Sequence, residues 1–311
     1  MCGNEEPVQS AIEYHIDGEK AGMASGSSAY AMLNDLLFDS CSFWSGKDLT
    51  LVKMQMDRTC RLAKQHSVVI LVQLLPLYGS LSRMLGITNV SPSSGTEKIE
   101  EEHRIDNPFQ ARPYYFNMMY TAFIFRNYDH MKKSFKEYLK VKNPITSIYY
   151  AASVQTFYEG KICLFCVVGL ASLISHLTSW HCTLVPHTHN DTGLVSFWLG
   201  RKENDKTWVE RGKQVIQELE PLAKHSEWNY ENKVLLLKAE AAFAGGEYEE
   251  AETLYDKAIC SAKEHRFVNE EALGNELAAH FFRETGRVHE AKICHSNAIE
   301  TYNRWGATAK V

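Results

Sequence analysis

The chain has 311 residues, 45% of them hydrophobic and 23% charged, so it is long enough for a large core or two domains. A net charge of −5 with no long basic run argues against nucleic acid as a main partner. The eight cysteines are scattered through apolar stretches, with no apolar leader at Met1-Cys2-Gly3-Asn4, and read as free thiols in a reducing, cytoplasmic setting.

Residues 1–20 are polar and without clear period, which predicts a poorly ordered N-terminus. A degenerate helical-repeat region is expected over 24–225. It opens with an apolar helix over 27–43 (Tyr30, Leu33, Leu36, Leu37, Phe38) broken at Ser45-Gly46. Asp48 then caps a helix carrying Leu51, Met54 and Met56. A further helix covers about 66–85 and stops at Gly86; Pro76 is expected to kink it or to end it at the preceding residue. Ser91-Pro92-Ser93-Ser94-Gly95 and the charged run Glu97–Arg104 predict a loop near 89–106. Tyr114–Phe125, a turn at Arg126-Asn127, and a helix with Tyr128, Met131, Phe135 and Tyr138 follow. A long helical stretch is expected over 146–177 and a loop over 181–193. Trp208, Val215, Leu219 and Leu222 make one stripe on the next helix, with Pro221 expected to end it early.

The clearest pattern lies in 229–311, read as two tetratricopeptide-like repeats. Gly246-Glu247-Tyr248-Glu249-Glu250-Ala251 returns forty residues later as Gly286-Arg287-Val288-His289-Glu290-Ala291, and Tyr255 and Ala258 align with His295 and Ala298. Gly246 and Gly286 suit a left-handed turn between helices. Tyr248 and Val288 are expected to staple each second helix to the first, and the small Ala251 and Ala291 to let the paired helices approach. Tyr255 and Ala258 follow Ala251 at +4 and +7 and so share its helix face, and Ala298 holds the place of Ala258 in the second copy. Tyr128, Met131, Phe135 and Tyr138 repeat this spacing with larger side chains. Sustained period-two alternation is weak everywhere. The fold expected is all-α: an α-α superhelix, a tetratricopeptide-like solenoid of antiparallel helix pairs. Ile162–Ser175 is apolar but stops at about 14 residues, below the ~20 of a spanning helix, so no membrane span is expected.

One constellation has metal-ligand chemistry. Cys163 and Cys166 form a C-x-x-C, and His181, Cys182, His187 and His189 cluster after it; thiolate and imidazole are zinc ligands. The competing reading makes the two cysteines small hydrophobes in an apolar helix and the histidines exposed loop residues. No phosphate loop, nucleophile elbow or HExxH is present: Ser45-Gly46-Lys47 lacks the upstream glycine and is followed by Asp48. No cofactor and no catalytic residue is assigned.

Glu271-Ala272-Leu273-Gly274-Asn275-Glu276-Leu277-Ala278-Ala279-His280-Phe281 and Tyr302-Asn303-Arg304-Trp305-Gly306-Ala307-Thr308-Ala309-Lys310-Val311 resemble signature stretches of the helical linker in large hybrid sensor histidine kinases. That region lies between a STAND-type ATPase module and a GAF–histidine-kinase module. Phe43-Trp44-Ser45-Gly46-Lys47-Asp48-Leu49, Arg126-Asn127-Tyr128 and Phe157-Tyr158-Glu159-Gly160-Lys161 extend the resemblance weakly upstream. It implies a tetratricopeptide-like linker that couples a nucleotide-driven module to a signalling output.

The function expected is therefore a non-catalytic helical-repeat protein that holds a protein or a neighbouring domain, in signal transduction. One alternative is a fragment of a multidomain ATPase or hybrid histidine kinase whose catalytic modules lie elsewhere. Another is a zinc-binding protein built on the Cys163–His189 cluster. Groove or inter-repeat contacts are expected from Lys233, Lys238, Asn275, Glu276, Arg304 and Trp305.

Overall fold

Positive-φ backbone recurs at a fixed interval. Gly26, Gly46, Gly86, Arg126, Gly246, Arg266, Gly286 and Gly306 all carry it, and every separation among them is a multiple of 20 residues. Asn204 (φ 51°) departs from this register by two residues. Each such residue closes a helix. At Gly246 the N–H bonds to the Phe243 carbonyl (3.2 Å), and the Glu247 N–H reaches back to the Ala242 carbonyl (2.9 Å); Gly286 and Gly46 repeat the arrangement. These bonds satisfy carbonyls that the end of a helix leaves unpaired, and they require a left-handed residue. The forty-residue echo is thus one helix pair, and the same interval runs back into the N-terminal half, where the wording of the echo is lost.

The computed structural model describes residues 7–66, 71–87, 108–141 and 185–311. Among the described residues the structure is all-α, with twelve helices packed as neighbouring pairs and no strand. They are α1 (Val8–Ala24), α2 (Ser28–Trp44), α3 (Leu49–Gln65), α4 (Leu71–Met84), α5 (Pro108–Ile124), α6 (Tyr128–Lys140), α7 (Val185–Glu203), α8 (Lys206–His225), α9 (Glu227–Gly245), α10 (Tyr248–Glu264), α11 (Val268–Glu284) and α12 (Val288–Trp305). Asp48 caps α3 by accepting from the Thr50 (2.9 Å) and Leu51 (3.1 Å) N–H groups.

Burial divides the helices into two kinds. In α2, α9 and α11 most residues are buried: 13 of 17 in α11, from Asn269 to Phe282. In α3, α10 and α12 one stripe is buried, such as Ala251, Tyr255, Ala258, Ser261 and Ala262 in α10. The first helix of each pair is therefore inner and the second outer.

The two ends of the chain meet. The Val8 N–H donates to Asn229 Oδ1 (2.9 Å), and Trp228 Nε1 donates to Gln9 Oε1 (3.2 Å). Phe43 lies 5.8 Å from Trp305, ring to ring, and the Ala309 N–H donates to the Met84 carbonyl (2.9 Å). A Cβ at Gly46 would lie 2.7 Å from the Val268 N and 2.6 Å from Asn269 Oδ1, so the α2–α3 turn docks tightly on the start of α11. The chain's N-terminal half thus packs on α11 and on the start of α9, and α7 lies against the rest of α9.

Three local expectations change. Residues 8–20 are helical: Val8, Ile12 and His15 fall on one face and are 5, 2 and 4% exposed, a stripe that the polar residues between them obscure. The loop expected at 181–193 is helix from Val185 onward. Gly193 explains the packing there, since a Cβ would meet Leu237 Cδ2 at 2.6 Å, so α7 can lie close against α9. Pro221 lies inside α8, which continues to His225. It removes one N–H within the last turns, while the Ser226 N–H still closes on the Leu222 carbonyl (2.9 Å). Pro76 likewise lies inside α4, which continues to Met84. No helix of the described residues is long and apolar enough to cross a membrane. The stretch expected over 146–177 and the loop near 89–106 fall almost wholly outside the described residues.

Candidate functional site

Several polar residues on the inner helices are tied to partners inside the molecule. Glu276 on α11 is the clearest hub. Its carboxylate accepts from Arg126 Nε at the end of α5 (2.9 Å), Lys310 Nζ (2.8 Å) and the Tyr302 hydroxyl on α12 (2.7 Å). Burial works to raise its pKa, but Arg126, His280 and Lys310 overcome this and hold the carboxyl well below the usual range. The same carboxylate pushes the buried Tyr302 phenol well up, after burial itself. One side chain thus joins α5, α11, α12 and the C-terminal segment.

A second hub repeats the logic. Glu240 on α9 accepts from Arg201 on α7 (2.6 Å) and from the buried Tyr255 hydroxyl on α10 (2.5 Å). Arg201 also lies over the Phe243 ring at 4.3 Å. Burial works against its charge, and Glu240 more than restores it. Farther back, Glu203 on α7 pairs with Lys132 and accepts from the Tyr128 hydroxyl on α6. In each case a carboxylate on an inner helix pairs with a cation and a tyrosine from neighbouring elements.

The sequence candidates divide accordingly. Lys233 is fully buried: its Nζ donates to the Asn229 carbonyl (3.1 Å), stands 3.7 Å from Glu270 and lies 4.1 Å from the Phe267 ring centre. It is a core lysine, and no partner protein can reach it. Lys238 pairs with Glu220 on α8 (2.7 Å). Asn275 is buried and donates to the Glu271 carbonyl (2.9 Å). Arg304 pairs with Glu271, while Trp305 is buried against Phe43 and Tyr302. Arg304 and Trp305 therefore serve separate contacts.

Of the repeat positions, Ala251, Tyr255, Ala258, Ala291 and Ala298 are all buried, and Gly246 and Gly286 have φ of 81° and 82°. Tyr248 and Val288 are the exposed hydrophobic members of the set. They remain 53 and 58% exposed, although the Tyr248 ring lies 6.4 Å from Phe243 and 6.3 Å from Phe281. Cys163, Cys166, His181 and Cys182 lie outside the described residues. His187 and His189 fall on α7, and nothing is described of their side chains. Among the described residues no group of His, Cys, Asp and Glu has a metal-binding arrangement.

Sequence reasoning missed a buried polar cluster among α1, α2 and α3. His15 Nδ1 lies 3.3 Å from Asn34 Oδ1, and burial pushes the imidazole down to about 4. Arg58 reaches both Glu19 and Asp35. Burial, then Glu19, raises the Asp35 carboxyl to about 6 in spite of Arg58. Asp39 is fully buried, and burial raises it well above the ordinary range, with Thr59 drawing it back only in part. Asp35 and Asp39 stand four apart in an otherwise apolar helix, a spacing that places both on one face.

An open surface depression of about 530 Å³ lies between the end of α6 and the start of α8, lined by Leu139, Trp208 and Arg211 among others. None of the sequence candidates lines it. No protein-family model matches the chain, and no curated protein matches it.

Proposed function

We propose that this chain is a non-catalytic helical-repeat protein that holds a protein partner or a neighbouring domain in signal transduction. The observation that supports this best is the division of labour between inner and outer helices. Glu240, Glu276 and Lys233 are spent on joining helices, whereas the outer edge of α10 and α12 leaves Tyr248, Val288 and several carboxylates open to solvent. Partners would therefore be read from the outer edge and not from a central groove. The resemblance to the linker of hybrid sensor histidine kinases gives this reading its signalling context: a rigid, ion-paired stack suits a part that transmits force or position between modules.

Two measurements test it. Calorimetric titration of the purified chain with ATP and Mg²⁺ should give no binding heat; stoichiometric tight binding or phosphate release would overturn the scaffold reading. Cross-linking in native extract, read by mass spectrometry, should map partner contacts to α10 and α12. Contacts confined to α9 and α11 would refute the outer-edge assignment.

A further inference from the structure

The outer helices α6, α10 and α12 each open on an aromatic or β-branched residue at the same register position: Tyr128, Tyr248 and Val288 are separated by multiples of forty residues. In the middle of the chain this position is covered. The Tyr128 ring lies 5.7 Å from Trp198 and its hydroxyl bonds Glu203. At the C-terminal pairs it is not. Tyr248 and Val288 are half exposed on adjacent outer helices, which Arg287 links by pairing with Glu252. A side chain whose counterpart in the same molecule is covered marks an unfilled contact.

The charges around Tyr248 say what fits. Glu247, Glu249 and Glu250 flank it and are exposed to solvent. Glu284, also exposed, follows Phe281 by one turn on α11, on the side that faces Tyr248. Glu249 and Glu250 gain from the positive end of α10, while Glu284, at the negative end of α11, is favoured by the Arg201 guanidinium, whose charge it helps to hold. The nearby cation Arg201 is already committed to Glu240.

We propose that this edge docks a lysine- or arginine-rich segment with interspersed apolar side chains, supplied by a protein partner. Tyr248 and Val288 contact its apolar residues, and Glu247, Glu249, Glu250 and Glu284 contact its cations. This rests on the scaffold reading above and adds the chemistry of the partner. Charge complementarity of this kind speeds association and rejects acidic segments, while the aromatic anchor supplies most of the affinity.

The test is fluorescence polarisation with a short labelled lysine–leucine peptide, patterned for one apolar helix face, against a glutamate–leucine peptide of the same pattern. The full chain should bind the first, more weakly as salt rises, and not the second. Tyr248→Ser, and separately Glu249→Lys with Glu250→Lys, should each weaken binding ~10-fold or more, as for a central anchor. Glu264→Lys with Glu300→Lys makes the same change in net charge elsewhere on the exposed surface and should leave binding within about twofold, since rim charges remote from a contact matter little. Equal loss in the control pair would mean unspecific attraction and overturn the proposal, as would unchanged binding by Tyr248→Ser. Either result leaves the scaffold reading to its own nucleotide and cross-linking tests.

Discussion

Replacing Gly46 by alanine isolates the contact that closes the molecule. Gly46 and Gly246 end helices in almost the same backbone state, φ 78° and 81°. An alanine pays for the left-handed conformation at both, roughly 1–2 kcal/mol. At Gly246 nothing lies within 4 Å of the new Cβ, so that should be the whole effect. At Gly46 the Cβ would lie 2.7 Å from the Val268 backbone N and 3.1 Å from that of Asn269. Backbone at the start of a helix buried on most of its surface cannot turn aside as a side-chain tip can. The clash adds about 1–3 kcal/mol, the usual cost of overfilling a packed site. Gly46→Ala should therefore destabilise the fold by about 2–5 kcal/mol against about 1–2 for Gly246→Ala. Urea unfolding followed by circular dichroism, with the slopes compared, measures both. Equal losses would refute docking of the α2–α3 turn on α11, and with it the packing of the N-terminal half on that helix.

Further outcomes follow from the buried charges. Glu276→Gln leaves Arg126 and Lys310 facing a neutral amide in a site that is largely shielded from water. A loss of about 3–5 kcal/mol is expected from urea midpoints, as for other broken buried pairs. The native carboxyl is held low, so its contribution is complete above the ordinary glutamate value of about 4.5 and declines as pH falls toward the folded value; the variant should lack this acid limb. Asp39 has the opposite sign. Its raised pKa favours folding below about 3.8 and costs stability as pH rises toward its folded value, so Asp39→Asn should raise the urea midpoint at pH 8 and change it little at pH 4. A midpoint lowered at pH 8 would show that the carboxylate is needed charged. Lys233→Met strands Glu270 in the core and should destabilise the fold by about 3 kcal/mol, with Glu270→Gln in the same chain restoring much of the loss. Without that recovery in thermal melts, the pair is not the reason for the lysine.

Much of the helical architecture could be read locally, because the causes are local. The spacing Gly246–Ala251–Tyr255–Ala258 determines a turn and one buried stripe by backbone sterics and the helical period alone. The cap at Asp48 and the break at Gly86 follow from the same short-range rules. Val8, Ile12 and His15 escaped notice because three side chains among polar neighbours make a weak period. The helix at Val185 escaped notice because His187, Thr188, His189, Asn190 and Asp191 have loop-like propensities, which packing beyond Gly193 overrides.

The site was decided at long range. Lys233, Asn275 and Glu276 look in sequence like groove residues, since a polar side chain on a first helix has no visible partner along the chain. Asn275 bonds within its own helix, but the partners of Lys233 and Glu276 come from the start of α11, from Arg126 after α5 and from the C-terminal segment, as far as 150 residues away. Whether a carboxylate is a free contact or a buried tie depends on which other helix brings a cation to it. Helix pairs and their turns thus belong to the sequence, through residues a few positions apart. Closure of the stack, the packing of the N-terminal half on α11, and the exposure of Tyr248 where Tyr128 is covered belong to the tertiary structure, because each depends on contacts that local propensity does not encode.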